Sequence, residues 1–404
     1  MRKIVVTTAA VLLVSGCTGG SAGTSTSAPS DGPPGAVAAD APEPGWRLAT
    51  LPELAGPTSV LWDVVSVDAR HAWAVGSEAY SPDQPNDTGT PLVLPWDGTN
   101  WTRAAVPAIS WHGRLDLVAA DSPSNVWAVG STAAATPEEQ VTHVLHYDGS
   151  AWREVPFARG DGESQALITG LAVLGEQTWL VGNDGSNVII KQWDGRSWRS
   201  HQPPAECRTG GTSFGGMPNL CTVTAIKAIG PDDVWAAGNG AWQGFKGPLL
   251  FHWNGSGWRT VQVGVNNDES SFRALAGRSS SELWAVGDGG LAVRGGGGSF
   301  ELLRYAPPGG ALPDVVTDHA GQPWLIDNSP TPSASLVTYR TGGWAGVAAP
   351  QPPDAVGLSL HGIAGTPGSP LMFAVGAADL PTTPRYLRGV VLEYVPDAST
   401  GSRH

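Results

Sequence analysis

A short text returns seven times along this chain. Its clearest copy is Val126-Trp127-Ala128-Val129-Gly130, then a variable insert, then Val144-Leu145-His146-Tyr147-Asp148-Gly149-Ser150-Ala151-Trp152-Arg153-Glu154-Val155-Pro156. Strong copies centre on Trp73 with Trp96-Asp97-Gly98-Thr99-Asn100-Trp101, on Trp179 with Trp193 to Trp198, and on Trp235 with Trp253 to Trp258. Weaker ones centre on Trp284, Trp324 and Phe373. The marker aromatics recur every 40–56 residues, a period that belongs to repeat architectures.

Each copy divides into four short strands, a to d. In the first, 61–67 is an apolar strand a and 72–76 is strand b. A polar loop runs to Thr90, strand c is 92–96, and strand d is 101–106, closed by Pro107. Between c and d, Asp97-Gly98 supplies the positive φ that a tight hairpin requires. Four antiparallel strands per unit make one propeller blade, so the expectation is an all-β, seven-bladed β-propeller over 45–396. Blade five departs from the pattern, with Arg294-Gly295-Gly296-Gly297-Gly298 in place of the Trp-Asp-Gly turn, and blade six departs with Asp327 in place of the strand-b glycine.

Strand-d aromatics number one fewer than the blades. Blade seven ends on a c strand, Gly389 to Val395. Gly45-Trp46-Arg47-Leu48-Ala49-Thr50-Leu51-Pro52 reads like Ala151-Trp152-Arg153-Glu154-Val155-Pro156, so the N-terminal strand is expected to complete blade seven and remove the open sheet edge.

The 54 glycines, 34 prolines and 15% charged residues fit strands between frequent turns rather than long helices. A formal net charge of −13 disfavours nucleic acid, which demands a basic face.

Before the repeats, Arg2 and Lys3 precede an apolar run, 4–14, too short to span a bilayer, and Val14-Ser15-Gly16-Cys17 follows. This segment resembles the signal peptide and lipobox of bacterial lipoproteins. The resemblance implies a signal peptide over 1–16, lipidation (palmitate) of Cys17, and an extracytoplasmic protein anchored to the bacterial cell membrane. Residues 17–44 are Gly, Ser, Thr, Ala and Pro with almost no large apolar side chain, which reads as a flexible tether; 397–404 reads as a disordered tail. Apart from Cys17, the cysteines are the pair Cys207 and Cys221, expected as a disulfide in an oxidising compartment.

The hairpin Tyr147 to Pro156, and strand b ending at Gly76, Gly130, Gly182, Gly238 and Gly287, resemble kelch repeats, although a second glycine is replaced by Ser77, Ser131, Asn183, Asn239 and Asp288. The Asp-Gly-x-x-Trp turn is similar to the Asp-box of sialidase-like propellers but one residue shorter. Both likenesses imply a propeller and leave function open.

No catalytic constellation emerges: the cysteines lie outside strands, no nucleophile motif or phosphate loop is present, and Asp83, Asn86 and Asp87 match no standard Ca²⁺ loop. No metal and no cofactor are expected. Fifteen of the 18 tryptophans occupy repeat positions, as packing between blades explains. Trp62, Trp111 and Trp242 do not, and all three map to the face carrying the long b–c and d–a loops, where recognition tends to reside. Counting back from each strand-b aromatic gives a chemically varied series near the channel mouth: Trp62, Asp116, Thr169, Thr224, Arg273, Pro313 and His361. Trp62, Trp111, Trp242, Asp116, Arg273 and His361 are therefore the candidate binding residues. The expected function is a monomeric module binding a protein or glycan ligand; the alternatives are a hydrolase or lyase acting on surface glycans, and a purely structural scaffold.

The anchor is directly testable. Cys17→Ala is expected to move the protein out of the membrane fraction or leave its signal uncleaved; normal processing with normal anchoring would contradict the lipoprotein reading.

Overall fold

The computed structural model describes residues 45–395 except 85–86, 107–108, 135–138, 158–165, 186, 209–219, 243, 267, 306–309 and 330–332. The signal segment, Cys17, the tether, Asn86 and the 397–404 tail lie outside the described residues. Seven antiparallel sheets make up the ring, six of them running a-b-c-d from the ring axis outward and that of blade one a-b-c. The fold is a seven-bladed β-propeller. In blade seven the outer strand is the N-terminal Gly45–Leu48, which pairs with Leu387–Val395 in the register Trp46↔Tyr394 and Leu48↔Leu392.

The tryptophan repeats explain how the blades adhere. The strand-b aromatic of each blade meets outer-strand aromatics of the next, in most blades one from c and one from d. Trp127 lies 5.9 Å from Trp193 and 6.0 Å from Trp198, ring centre to ring centre. Trp179 meets Trp253 at 5.6 Å and Trp258 at 5.7 Å; Trp284 meets Tyr339 at 5.8 Å and Trp344 at 6.1 Å. Closure obeys the same rule, since Trp324 of blade six meets Tyr394 and the N-terminal Trp46, and Phe373 of blade seven meets Trp96 and Trp101 of blade one. Blade five lacks a strand-c aromatic, and there Trp235 meets Phe300 at 6.2 Å. Most of these contacts are tilted or edge-on, the arrangement that ring quadrupoles favour.

The strand-b glycine has its own cause. In six blades the inner strand carries a β-bulge opposite it. A Cβ at Gly76, Gly130, Gly182, Gly238, Gly287 or Gly376 would lie 1.9–2.2 Å from a strand-a carbonyl oxygen just before the bulge, so no side chain fits. Blade six has no bulge among its described pairs. Its strand a is only Val315–Thr317, and Asp327 occupies the glycine position, as the absent bulge permits.

In one respect the fold departs from expectation. Strand d of blade one shrinks to a single bridge, Trp96↔Trp101, with Thr102 and Ala104 N–H donating to Pro95 and Val93 carbonyls. Thr102 stands opposite Pro95, which has no N–H to return the second bond of the pair, so the ladder stops. In the c–d turns Asp97, Asp148, Asp194 and Asn254 each accept two backbone N–H bonds at 2.8–3.1 Å. Cys207 and Cys221 form the disulfide, with Cα atoms 5.3 Å apart, both buried in the aromatic cluster between blades three and four. Cys221, expected outside the strands, lies instead at the start of strand a of blade four, Leu220–Gly230, paired with Gly240.

Closure yields a comparison of truncations. Removing 18–44 is expected to leave the melting temperature unchanged. Removing 18–52 deletes the outer strand of blade seven and the ring that seats Trp324; loss of a packed Trp alone costs roughly 3 kcal/mol. Equal melting temperatures for the two would contradict the role of Gly45–Leu48.

Candidate ligand-binding site

The varied residues of the inner strands are the bulge residues themselves. Trp62, Asp116, Thr169, Thr224, Arg273 and His361 each stand as the extra residue that the ladder skips. A bulged residue leaves the a–b pairing, so its side chain is free to reach the neighbouring blade. Thr169 Oγ1 donates to the Val223 carbonyl at 2.7 Å, and Thr224 Oγ1 donates to the Phe272 carbonyl at 2.6 Å. His361 does the same across the closure, its Nδ1 lying 2.8 Å from the Leu61 carbonyl. In each case the acceptor immediately precedes the next blade's bulge.

Two of the candidate residues meet over blades seven and one. The His361 ring stacks on Trp62, centres 4.5 Å apart and planes 19° apart. From blade two the Arg114 guanidinium lies 5.0 Å from the Trp62 ring centre, and its Nε is 2.6 Å from Asp116. Trp62 is thus flanked by groups from both neighbouring blades. Around this stack opens a cavity of about 370 Å³ on the long-loop side. Its walls are Val60, Tyr80, Ala377 and Leu387, with Arg114 and the Asp379–Arg385 pair among its polar lining.

The charges there are largely spoken for. Asp379 accepts from Arg385, Asp116 from Arg114, and Asp87 from the backbone N–H of Ser81 and Gly89. Burial holds Asp116 above the usual carboxylate range, with Arg114 opposing it. Burial holds His361 below the usual histidine range, and the Arg114 charge adds to this against the pull of the Leu61 hydrogen bond. A carbonyl oxygen can only accept, so His361 carries its proton on Nδ1 and presents a lone pair at Nε2. Among the described residues Nε2 has no hydrogen-bond partner.

The remaining candidates lie apart from this cavity. Trp111 and Trp242, expected as exposed aromatics, are half-buried against the clusters between blades one and two and between blades three and four. Trp111 stacks on His143 at 4.1 Å and closes the core of blade two. Trp242 sits at the end of strand b of blade four, 4.4 Å from Phe245, against the disulfide-bearing cluster. Each ring covers apolar surface that its blade would otherwise leave wet. Arg273 is exposed and pairs with Asp288 at 2.9 Å.

Sequence reasoning missed a second polar set, in the channel. A cavity of about 500 Å³ there is lined by Asp63, Asp314 and Lys227. Asp63 follows the bulge residue of blade one and Asp314 follows Pro313, its counterpart in the bulge-free blade six, where the other blades carry Leu117, Gly170, Ala225, Ala274 and Gly362. Each ties its blade to the next: Val118 N–H donates to Asp63 and Ile363 N–H to Asp314, both at 2.8 Å. Burial pushes Asp63 up to about 8, helped by the charge of Asp314. Burial likewise pushes Asp314 up to about 7. Burial lowers Lys227, against the attraction of Asp314. Among the described residues no group of three His, Cys, Asp or Glu side chains could hold a metal ion.

Neither a family model nor a curated protein matches the chain. Solved structures do. YCF48 from Cyanidioschyzon merolae superposes with a TM-score of 0.54 at 16% identity, covering 87% of this chain and 98% of that one. YCF48 bound to D1 peptide gives 0.54 at 17%, covering 89% and 97%. A catalytically inactive virginiamycin B lyase from Staphylococcus aureus, with quinupristin, gives 0.55 at 11%, covering 87% and 99%. At these identities the likeness shows the fold alone.

The channel carboxyls set a pH dependence. Their folded pKa lies above the unfolded value of about 4, so the stability they contribute is complete below that pH and is lost as pH rises through about 7 and 8. Denaturant unfolding is expected to show stability falling between pH 5 and 8, by at most about 1.4 kcal/mol per pH unit per group, with a flatter profile in Asp63→Asn. Identical profiles for the two proteins would contradict a protonated Asp63.

Proposed function

We propose that this protein is a lipid-anchored, extracytoplasmic propeller that captures a protein partner on its long-loop face. The observation that carries the reading is the cavity over blades seven, one and two, where His361, Trp62 and Arg114 stack beneath apolar walls. The fold already satisfies its blade contacts elsewhere, and a concave apolar site with a few convergent polar groups is where ligands bind. Solved neighbours of similar fold include one bound to a peptide, which is in keeping with a protein partner, and one with quinupristin. A glycan-active enzyme would draw on free carboxylates at the mouth, and those of Asp87, Asp116 and Asp379 are engaged. Anchoring through Cys17 would hold this face at the end of a flexible tether, free to sample partners at the cell surface.

The test places a photo-cross-linking residue at Ser359, beside the cavity, and another at Thr99, in a c–d turn on the opposite side. A discrete protein adduct from Ser359 and none from Thr99 is expected. The identified protein should then bind the purified chain, and Trp62→Ala or Leu387→Asp should weaken it at least fivefold, ~1 kcal/mol, without shifting the melting temperature. No adduct, or the same adduct from both positions, would count against the reading.

A further inference from the structure

Resting on that reading, we infer that the mouth cavity takes an aromatic side chain of the partner that ends in a hydrogen-bond donor, a tyrosine or a tryptophan, with His361 Nε2 as its acceptor. Three observations combine. The first is the tautomer. The Leu61 carbonyl claims the Nδ1 proton at 2.8 Å, which leaves Nε2 as an acceptor in a cavity where no described protein donor meets it. His361 Nε2 is thus an acceptor left open at the cavity, while Trp62 Nε1 and Thr88 Oγ1 of the same lining are buried without a partner among the described residues. A ligand that brings a donor supplies the hydrogen bond that Nε2 lacks within the protein.

The second observation is charge. Arg114 and Arg385 are the cations of the lining, and each already holds a carboxylate, Asp116 and Asp379. Burial keeps His361 neutral. An anionic side chain would therefore find its counter-charges taken, and a cationic one would meet two guanidinium groups. An uncharged anchor faces neither cost.

The third observation is shape and lining. About 370 Å³ between Val60, Tyr80, Ala377 and Leu387 accommodates an aromatic body, whose burial supplies the bulk of the affinity. Asn and Gln bring donors without that body; Phe and Leu bring the body without a donor. Tyrosine and tryptophan bring both, and both are residue types that anchor protein interfaces.

His361 is thus a specificity residue, reading the end of a side chain that the walls hold. It is placed by two restraints, the Leu61 hydrogen bond and the stack on Trp62, which fix the ring plane and the direction of Nε2.

The test uses the purified full-length chain and three probes, N-acetyl-tyrosinamide, N-acetyl-tryptophanamide and N-acetyl-phenylalaninamide, titrated while protein NMR shifts are followed. The tyrosine and tryptophan probes are expected to bind about five- to tenfold more tightly than the phenylalanine probe, the worth of one neutral hydrogen bond. In His361→Phe the three should bind alike, while His361→Gln, which keeps an acceptor, retains part of the preference. Unchanged melting temperatures confirm that both variants are folded; should His361→Phe unfold, the Gln variant and the wild-type ranking still decide. Equal binding of all three probes to the wild type, no binding of any, or a preference that survives His361→Phe would overturn the inference. The mouth cross-link from Ser359 would stand in each of those outcomes, so partner capture and anchor choice fail separately.

Discussion

Seven blades cohere here because the strand-b aromatic of each lies against the outer aromatics of the next. The contact is directional, running from blade to following blade around the ring, and it supplies the apolar surface that a lone four-stranded sheet lacks. The spacing of tryptophans along the chain, the N-terminal closure and the burial of the disulfide beside Trp179 and Trp258 all follow from it. Where a partner ring is missing, as in blade five, the repeat text is weak at the same place: Gly295 holds the position of Trp193 or Trp253.

A second coupling frees residues for other work. The inner-strand bulge requires glycine opposite it, and in return it lifts one residue per blade out of the ladder. In blades three and four that residue is threonine, which ties to the next blade and contributes cohesion only. In blades seven, one and two it is histidine, tryptophan and aspartate, larger groups that build upon one another and leave a cavity beside them. One backbone device thus serves adhesion on one arc of the ring and shapes a cavity on another.

Much of this was legible in the chain itself. The blade count, the closing strand and the Cys207–Cys221 bridge follow from repeated text and simple counting, because packing between blades demands the same residue at the same place each time. Counting back from the strand-b aromatic located the bulge residues, yet the bulge was invisible, since a one-residue slip in a ladder leaves no mark in composition. Trp111 and Trp242 were singled out by elimination, which ignores that a loop tryptophan can fold back on its own blade. Asp63 and Asp314 were missed although a signal existed: two acids at a position otherwise held by Leu, Ala or Gly. Their pairing across blades depends on which N–H groups the bulge exposes, and only coordinates show that. The lost strand in blade one was readable in Pro95, whose missing donor stands opposite Thr102.

The closing strand also has a bearing on how the molecule comes into being. Among the described strands Gly45–Leu48 is the first made and among the last to find its place, because its partner ends at Val395. Arg47 and Glu393, joined by a hydrogen bond at 3.2 Å, lie 346 residues apart. Until synthesis reaches the final strand, blade seven has no c strand for the first to join, and Trp324 has no ring to meet. Six blades can form in order as the chain emerges, but the circle stays open until Leu387–Val395 is in place. The ring therefore stays open at one blade until two strands far apart in sequence meet, and the edge they cover is unguarded until then.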